Sequence, residues 1–437
     1  MDKTKDTHDT HLNSDFTENA WDALYRAVDS PEFLKNDSET IYKALSYGLR
    51  PISFGDYLKR YILQKAGIDE PIADVELNRF RYIIRDSFSE HNTPPSFEPT
   101  TAKLSALSKN WLTQQTVSRK VVFLLGFGLG MSAEDVEMFL TKALREQGFN
   151  AKDPFEVICR YCFNNGYGYY KYESLWQEFL AVKADPKHST ALFDDATVRV
   201  RRAVEALDGD DTLIAFLARL KTKDNRSKLS VSMRRCFDKL FEESKRVAAR
   251  ILSEEAARSA RLASAEYEAS LLNTDRYSDG ELQKKLEEKR ASVRVYCPEK
   301  ITEGDLEKIL SSAIPTDRNG NLTPSKVSKL NDQFAGKRFS RQHISDILCG
   351  KADVTRFDII TLSFFIASQL LDEHPNAKER FTHFMSKTNE YLASCSLGKL
   401  NVSNPYECFV LMCMLSEDPL GTYADVWELS YADGPEG

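Results

Sequence analysis

Apolar positions recur at helical spacing along nearly the whole chain. Phe54, Tyr57, Leu58, Tyr61 and Ile62 fall at i, i+3, i+4, i+7 and i+8, which predicts one stripe on a helix beginning near Ser53. Leu306, Ile309, Leu310, Ala313 and Ile314 repeat that spacing. Each stripe starts beside a Gly-Asp pair, Gly55-Asp56 and Gly304-Asp305, which puts an acid near the positive end of the helix dipole. Two further segments, Val121 to Leu129 and Ile359 to Ile366, are apolar almost all round, the pattern of helices buried on every side. Thr355 with Asp358 makes a capping-box arrangement before the second. Ser118 opens the first, and Ser132 with Asp135 opens the helix after it.

These pieces occur twice and in one order. VSRKVVFLLGFGLGMS near residue 117 is answered by VTRFDIITLSFFIASQ near residue 354. FLTKALREQGF and KDPFEVICRYC are answered by FMSKTNEYLAS and SNPYECFVLMC. The offset between copies is not constant, so the second carries extra loop residues. The start of the last helix matches position by position, Asp153-Pro154-Phe155-Glu156 against Asn404-Pro405-Tyr406-Glu407. Asp or Asn caps free backbone N–H groups, proline takes the first helical position, and the glutamate is expected to reach back to the cap. What is repeated is a folding unit.

Between the copies the pattern changes. Residues 173–225 read as short helices with a break at Asp208-Gly209-Asp210-Asp211. Residues 229–272 hold no Pro or Gly and are rich in Ala, Glu, Arg, Ser and Leu. They predict a long helix, as a spacer or a dimer-forming arm, with a helical hairpin to 279–292 as the alternative. The spacer is the preferred reading, because apolar positions thin out toward residue 265 and no heptad is sustained. Val293-Arg294-Val295-Tyr296 is the best strand candidate, and it is short. The expected organisation is all-α: two related helical bundles joined by a helical middle region. The divisions are a disordered tail 1–16, a first module 17–172, a middle region 173–298, a second module 299–430 and a tail 431–437.

Composition fits a soluble globular chain, with 42% hydrophobic and 29% charged among 437 residues. No apolar stretch approaches the ~20 residues that span a membrane, and the N-terminus lacks a charged-then-apolar signal, so a cytoplasmic protein without membrane contact is expected. The eight cysteines mostly lie in apolar helical patterns. Cys159 and Cys162 form a C-x-x-C without a second pair, so core packing outweighs zinc. The net charge of −7 excludes a general polyanion binder. Basic residues nevertheless gather at equivalent places: Lys103, Lys109, Arg119 and Lys120 in the first copy, and Lys326, Lys329, Lys337, Arg338, Arg341, Lys351 and Arg356 in the second.

Residues 327–366 read VSKLNDQFAGKRFSRQHISDILCGKADVTRFDIITLSFFI. This segment resembles the core of a lambda-repressor-like (Cro-type) helix-turn-helix. Ala335 matches the small residue of the first helix, Phe339 the apolar turn residue and Ser340 the cap of the recognition helix. Ile344 and Ile347 match its inward positions, and Gly350 its end. The resemblance implies DNA binding, in which the N-terminal part of that helix enters the major groove. The implied contact set is Lys337, Arg338, Ser340, Arg341, Gln342, His343, Ser345, Lys351 and Arg356, with Lys103, Lys109, Arg119 and Lys120 as a secondary basic patch. In the first copy Leu104, Leu107 and Trp111 are expected to line the inner face of the equivalent helix.

Other motifs carry less. Arg85 and His91 have the Arg–His spacing of HEPN ribonucleases, but Asn-Thr-Pro-Pro follows His91, as in a loop at a helix end. Gly126, Gly128 and Gly130 lack the strand and lysine of a nucleotide loop, so close helix packing explains them better. Asp317 to Asn321 faintly suggests a calcium loop but reads better as a turn. Tyr161, Tyr167, Tyr169, Tyr170 and Tyr172 suit a binding surface and internal packing equally. No catalytic constellation, metal site or cofactor is expected. The expectation is a regulatory protein whose partner is double-stranded DNA, with a homodimer through the middle helices. An adaptor gripping a protein partner is the alternative, and a nuclease of a mobile-element or defence system a third.

Overall fold

The computed structural model describes residues 37–48, 52–91, 102–185, 197–222, 226–272, 284, 295–310, 330, 334, 339–370 and 376–432. The chain is all-α, with seventeen α-helices and no strand among the described residues beyond an isolated bridge between Lys221 and Ser227. Val295 and Tyr296, the described part of the expected strand, are not in a strand; the Tyr296 N–H donates to Ser253 Oγ at 2.9 Å. No described helix is long and apolar enough to cross a membrane.

The helices of the first half are α1 (Asp37–Lys43), α2 (Phe54–Lys65), α3 (Leu77–Glu90), α4 (Ala102–Trp111), α5 (Arg119–Gly128), α6 (Ala133–Met138), α7 (Pro154–Asn164), α8 (Tyr169–Ala181), α9 (Thr197–Glu205) and α10 (Asp210–Arg219). A π-helical turn, Phe139–Ala143, prolongs α6. Then come the long α11 (Lys228–Leu272), α12 (Glu303–Leu310), α13 (Arg341–Leu348), α14 (Arg356–Ala367), α15 (Ala377–Ser394), α16 (Pro405–Cys413) and α17 (Pro419–Ala432).

Most starts follow from local chemistry. Ser132 with Asp135 and Thr355 with Asp358 form complete capping boxes on α6 and α14. Ser53 Oγ accepts from the Asp56 N–H at 3.0 Å, and Thr302 Oγ1 from the Asp305 N–H at 3.2 Å, at the matching starts of α2 and α12. Asp153 accepts from Phe155 N–H (3.0 Å) and Asn404 from Tyr406 N–H (3.1 Å). Ser118 stands at the cap of α5 but makes no side-chain cap bond.

Buried apolar residues form two clusters. One joins α2 to α10 around Phe54, Phe80, Phe123, Ile158, Leu175 and Leu217. The other joins α1, the first half of α11 and the helices from α12 onward around Phe237, Phe334, Phe364, Phe409 and Trp427. Among the described residues of 173–298, the buried apolar ones fall into these two clusters. Helices α8 to α10 close the first cluster, while Phe237, Leu240, Phe241, Val247 and Ala248 of α11 enter the second.

The spacer reading of 229–272 thus does not hold over its first half. The positions 237, 240 and 241 form a docking stripe, and α14, apolar all round, needs cover from every side. Beyond Ser253 the helix exposes Glu254, Glu255, Arg258 and Leu262. Helix α1, expected with the first module, packs on α17 through Ile41, Tyr42 and Leu45. The tail 1–16, residues 433–437, the hairpin segment 279–292 apart from residue 284, and the turn 317–321 lie outside the described residues.

Candidate functional site

Helix α13 is built as its residues suggest. Ser340 Oγ accepts from the His343 N–H at 3.3 Å, Ile344 and Ile347 are fully buried, Phe339 is buried beside them, and Gly350 ends the turn at φ +72°. Arg341, Gln342 and Lys351 are exposed and Ser345 is half-buried. Gln342 Nε2 donates to Asp346 Oδ1 at 3.0 Å. Lys326, Lys329, Lys337, Arg338 and Ala335 lie outside the described residues.

His343 is occupied inward. Its Nε2 lies 3.1 and 3.2 Å from the two carboxylate oxygens of buried Asp358, which also accepts from Thr355 N–H (2.8 Å) and Oγ1 (2.7 Å). The hydrogen bond to Asp358 raises the imidazole pKa above its ordinary value. One side chain thereby ties α13 to the cap of α14. Sequence reasoning missed a second tie. Arg234 of α11 donates to the carbonyls of Ile347 and Leu348, the open C-terminal end of α13, and pairs with Asp238 at 2.7 Å. Nothing near Arg234 in the sequence announces this.

Arg119 and Arg356, each the first residue of a buried helix, are committed to internal bonds. Arg119 Nε and Nη2 meet Glu156 at 3.0 and 2.8 Å, and its Nη1 and Nη2 donate to the carbonyls of Gln147 (2.7 Å) and Gly148 (3.0 Å). Arg356 Nε and Nη2 meet Glu407 at 2.7 and 2.9 Å, and its Nη1 and Nη2 donate to the carbonyls of Gly398 (2.6 Å) and Lys399 (2.8 Å). Both glutamates are buried. Their carboxylates also accept the N–H of Asn150 and Asn401, at 2.7 Å in each copy. Those asparagines in turn accept from Lys152 and Ser403 N–H, each at 3.0 Å.

The shared glutamate therefore does not reach the cap, as the sequence suggested. It serves a bidentate arginine and the turn before the cap. Each turn is entered through a left-handed residue, Arg145 at φ 54° and Ser396 at φ 57°. Burial works against the charge on Arg119, but Glu156 and Glu146 outweigh it and raise its pKa.

The two turns touch each other. Gly398 N–H donates to Gln147 Oε1 at 2.5 Å, and Asn401 Nδ2 donates to the Arg145 carbonyl at 2.8 Å. Gln147 and Gly398 hold equivalent places in the repeat, since each supplies the carbonyl bound by Nη1 of its own arginine. The two equivalent turns thus meet directly, through bonds that both run from the second copy to the first. Beside this contact lies a small cleft, open to solvent, lined by Gln115, Thr116 and Arg145 from one copy and Arg356, Phe357, Asn404 and Tyr406 from the other. Burial lowers the pKa of Arg145 to about 10, and its Nη2 donates to the Ile52 carbonyl at 2.9 Å.

In the first copy α4 turns Leu104 and Trp111 into the core and exposes Lys103 and Lys109, with Leu107 half-buried; Lys120 is exposed at the start of α5. Arg85 and His91 are turned to different surroundings. Arg85 lies over the Tyr82 ring at 4.6 Å, while His91 Nδ1 is 2.8 Å from the Ser87 carbonyl and its ring covers Gly130. Gly126 and Gly128 admit Phe163 and Phe88 where a Cβ would stand within 2.7 and 2.1 Å of those rings. Of the tyrosines, Tyr161 is buried with its hydroxyl on Asp210 (3.0 Å), and Tyr169 and Tyr172 pack on Phe127, whereas Tyr167 and Tyr170 are exposed. Cys159 and Cys162 are buried in the first cluster, and burial raises both thiol pKa values.

A scan against protein-family models and searches of curated proteins and of solved structures each return no match to this chain.

Proposed function

We propose that the chain is a cytoplasmic DNA-binding regulator that presents α13 as a helix-turn-helix recognition helix. The observation that carries this reading is the build of α13: a Ser-capped first turn with Arg341 and Gln342 exposed, and an inner face held by Ile344, Ile347, His343 and Arg234. A helix so anchored keeps its N-terminal side chains positioned for base edges, where Arg and Gln make bidentate contacts. Arg341, Gln342, Ser345 and Lys351 carry the proposed contact, with Lys337 and Arg338 before them. Lys103, Lys109 and Lys120 are proposed as phosphate contacts. Arg119 and Arg356 leave the contact set, because their guanidiniums serve Glu156 and Glu407. The direct contact between the equivalent turns favours one chain presenting both copies to one duplex site.

A binding series against genomic fragments at two salt concentrations tests the reading. Retention should weaken steeply with salt, and Arg341→Ala with Gln342→Ala should lower affinity about tenfold or more. Absence of retention at low salt, or affinity unchanged in that double variant, removes it.

A second reading, a protein-binding adaptor, is favoured by the withdrawal of two arginines from the surface and by exposed Tyr82, Tyr167 and Tyr170. It predicts a stoichiometric partner on affinity capture from the native host, lost on Tyr167→Ala with Tyr170→Ala.

A further inference from the structure

Cys395 stands where three parts of the molecule converge. It follows the last residue of α15, its Sγ lies 3.9 Å from the Ser232 carbonyl of α11 and 3.8 Å from Ser394 Oγ, and three residues on Gly398 touches Gln147 of the other copy. The Ser232 carbonyl belongs to the helical turn that ends at Cys236. Helical side chains lean toward the N-terminus, so the Cys236 thiol lies over that same turn. Both thiols therefore lie in one neighbourhood of the second cluster, Cys236 at 8% exposure and Cys395 fully buried. The Cys395 S–H donates to the Ser232 carbonyl; the neighbouring Cys395 thiol lowers the Cys236 thiol pKa, while Cys236 and burial raise that of Cys395. Lys239, one turn further along α11, also favours the Cys236 thiolate. Cys236, the sulfur with some exposure and a lysine one turn away, is placed to attack, and the fully enclosed Cys395 beside it to resolve.

We propose that Cys236 and Cys395 are an oxidisable dithiol that hydrogen peroxide converts to a disulfide, pinning α11 to the turn at the boundary between copies. The Cys236 thiolate attacks one peroxide oxygen and the O–O bond breaks. The departing hydroxide takes up the proton the thiol released, leaving water and a sulfenic acid on Cys236. The Cys395 sulfur then attacks the Cys236 sulfur, the S–O bond breaks, and the second hydroxide leaves with the Cys395 proton as water. One peroxide is reduced to two waters while two thiols become one disulfide. The bond falls two residues from Arg234, which holds the end of α13, and three residues from Gly398, which holds the other copy. Its formation would therefore stiffen both attachments at once.

The test uses the full chain in a Cys297→Ser, Cys349→Ser background, which removes the two exposed thiols. The folded protein is treated with hydrogen peroxide, quenched, alkylated in denaturant and mapped by mass spectrometry. The expected result is a 236–395 linked peptide that disappears on reduction. Cys395→Ser should leave a dimedone-reactive sulfenic acid on Cys236. Cys236→Ser should leave Cys395 unoxidised, because the nucleophile is gone. If either variant fails to fold, the map of the parent alone decides. Both thiols recovered fully alkylated, or each oxidised without a link, overturns the proposal.

Discussion

The turns at 145–153 and 396–404 and the helices α4 and α13 are two pairs of equivalent places, and they differ in what they keep. The turns keep their polar network: a left-handed entry, an asparagine, a buried glutamate and an arginine bound through two nitrogens at 2.7 to 3.0 Å. The helices keep only their inner faces. Helix α4 buries Leu104 and Trp111 and exposes lysines, while α13 buries Ile344 and Ile347 and exposes Arg341 and Gln342. A buried carboxylate without its partner is penalised heavily, so every member of the network is constrained together. An exposed side chain carries no such constraint, and its identity is free to follow a partner.

The largest effect expected of any single substitution tests whether the turns are equivalent. Arg119→Ala and Arg356→Ala each strand a buried glutamate and should each cost about 3–5 kcal/mol in urea unfolding. Lysine should not restore either, since it cannot bind both carboxylate oxygens and two carbonyls in one plane. A neutral result at one site would break the equivalence.

A smaller effect separates the copies at their first helices. A Cβ on Gly55 would stand 2.3 Å from the Leu112 carbonyl oxygen, whereas one on Gly304 meets nothing closer than Thr302 Oγ1 at 3.6 Å. Gly55→Ala should therefore destabilise by about 1–3 kcal/mol, and Gly304→Ala should be neutral or stabilise by up to about 1 kcal/mol. Thermal melting of both variants reads the contrast directly.

The smallest effect is confined to the second copy. Asp358 stands where the first copy has Val121, so only α13 is tied down by a histidine. The His343 pKa is raised in the folded state. Its pairing therefore contributes fully below the unfolded value of about 6.5 and is lost as pH rises through the higher folded value. His343→Ala should cost about 1 kcal/mol or less at low pH, since the ring is a third exposed. It should also flatten the pH dependence of hydrogen exchange in α13. Unchanged pH dependence in the variant would assign that slope to other groups.

Much of the local structure could be read from residues alone, for a definite reason. A cap is settled within three or four residues, so the boxes at Ser132 and Thr355 and the starts at Asp153 and Asn404 follow directly from their neighbours. The all-round apolar segments likewise announced buried helices, and α5 and α14 are buried. The candidate site was harder. Ser340, Ile344 and Ile347 take the roles their spacing suggests, but His343, Arg119 and Arg356 look like surface bases and are not offered outward. A basic residue reads alike whether its carboxylate is solvent-separated or buried 37 or 51 positions away.

Residue order and type therefore settled that this chain is helical, where most helices begin, and which face of each must be covered. They did not settle what covers it. Periodicity gives the first half of α11 an apolar stripe, and many surfaces can satisfy a non-directional burial term. Only the folded chain assigns that stripe to the second cluster, brings α1 to the same cluster, and leaves the first to be closed by α8 to α10. The same holds for polar partners. Glu156 and Glu407 carry a cap-like spacing, yet a bidentate guanidinium and a buried N–H bind a carboxylate more strongly than one exposed backbone N–H does. Their destination was decided in three dimensions, by which donors the packing brought within reach.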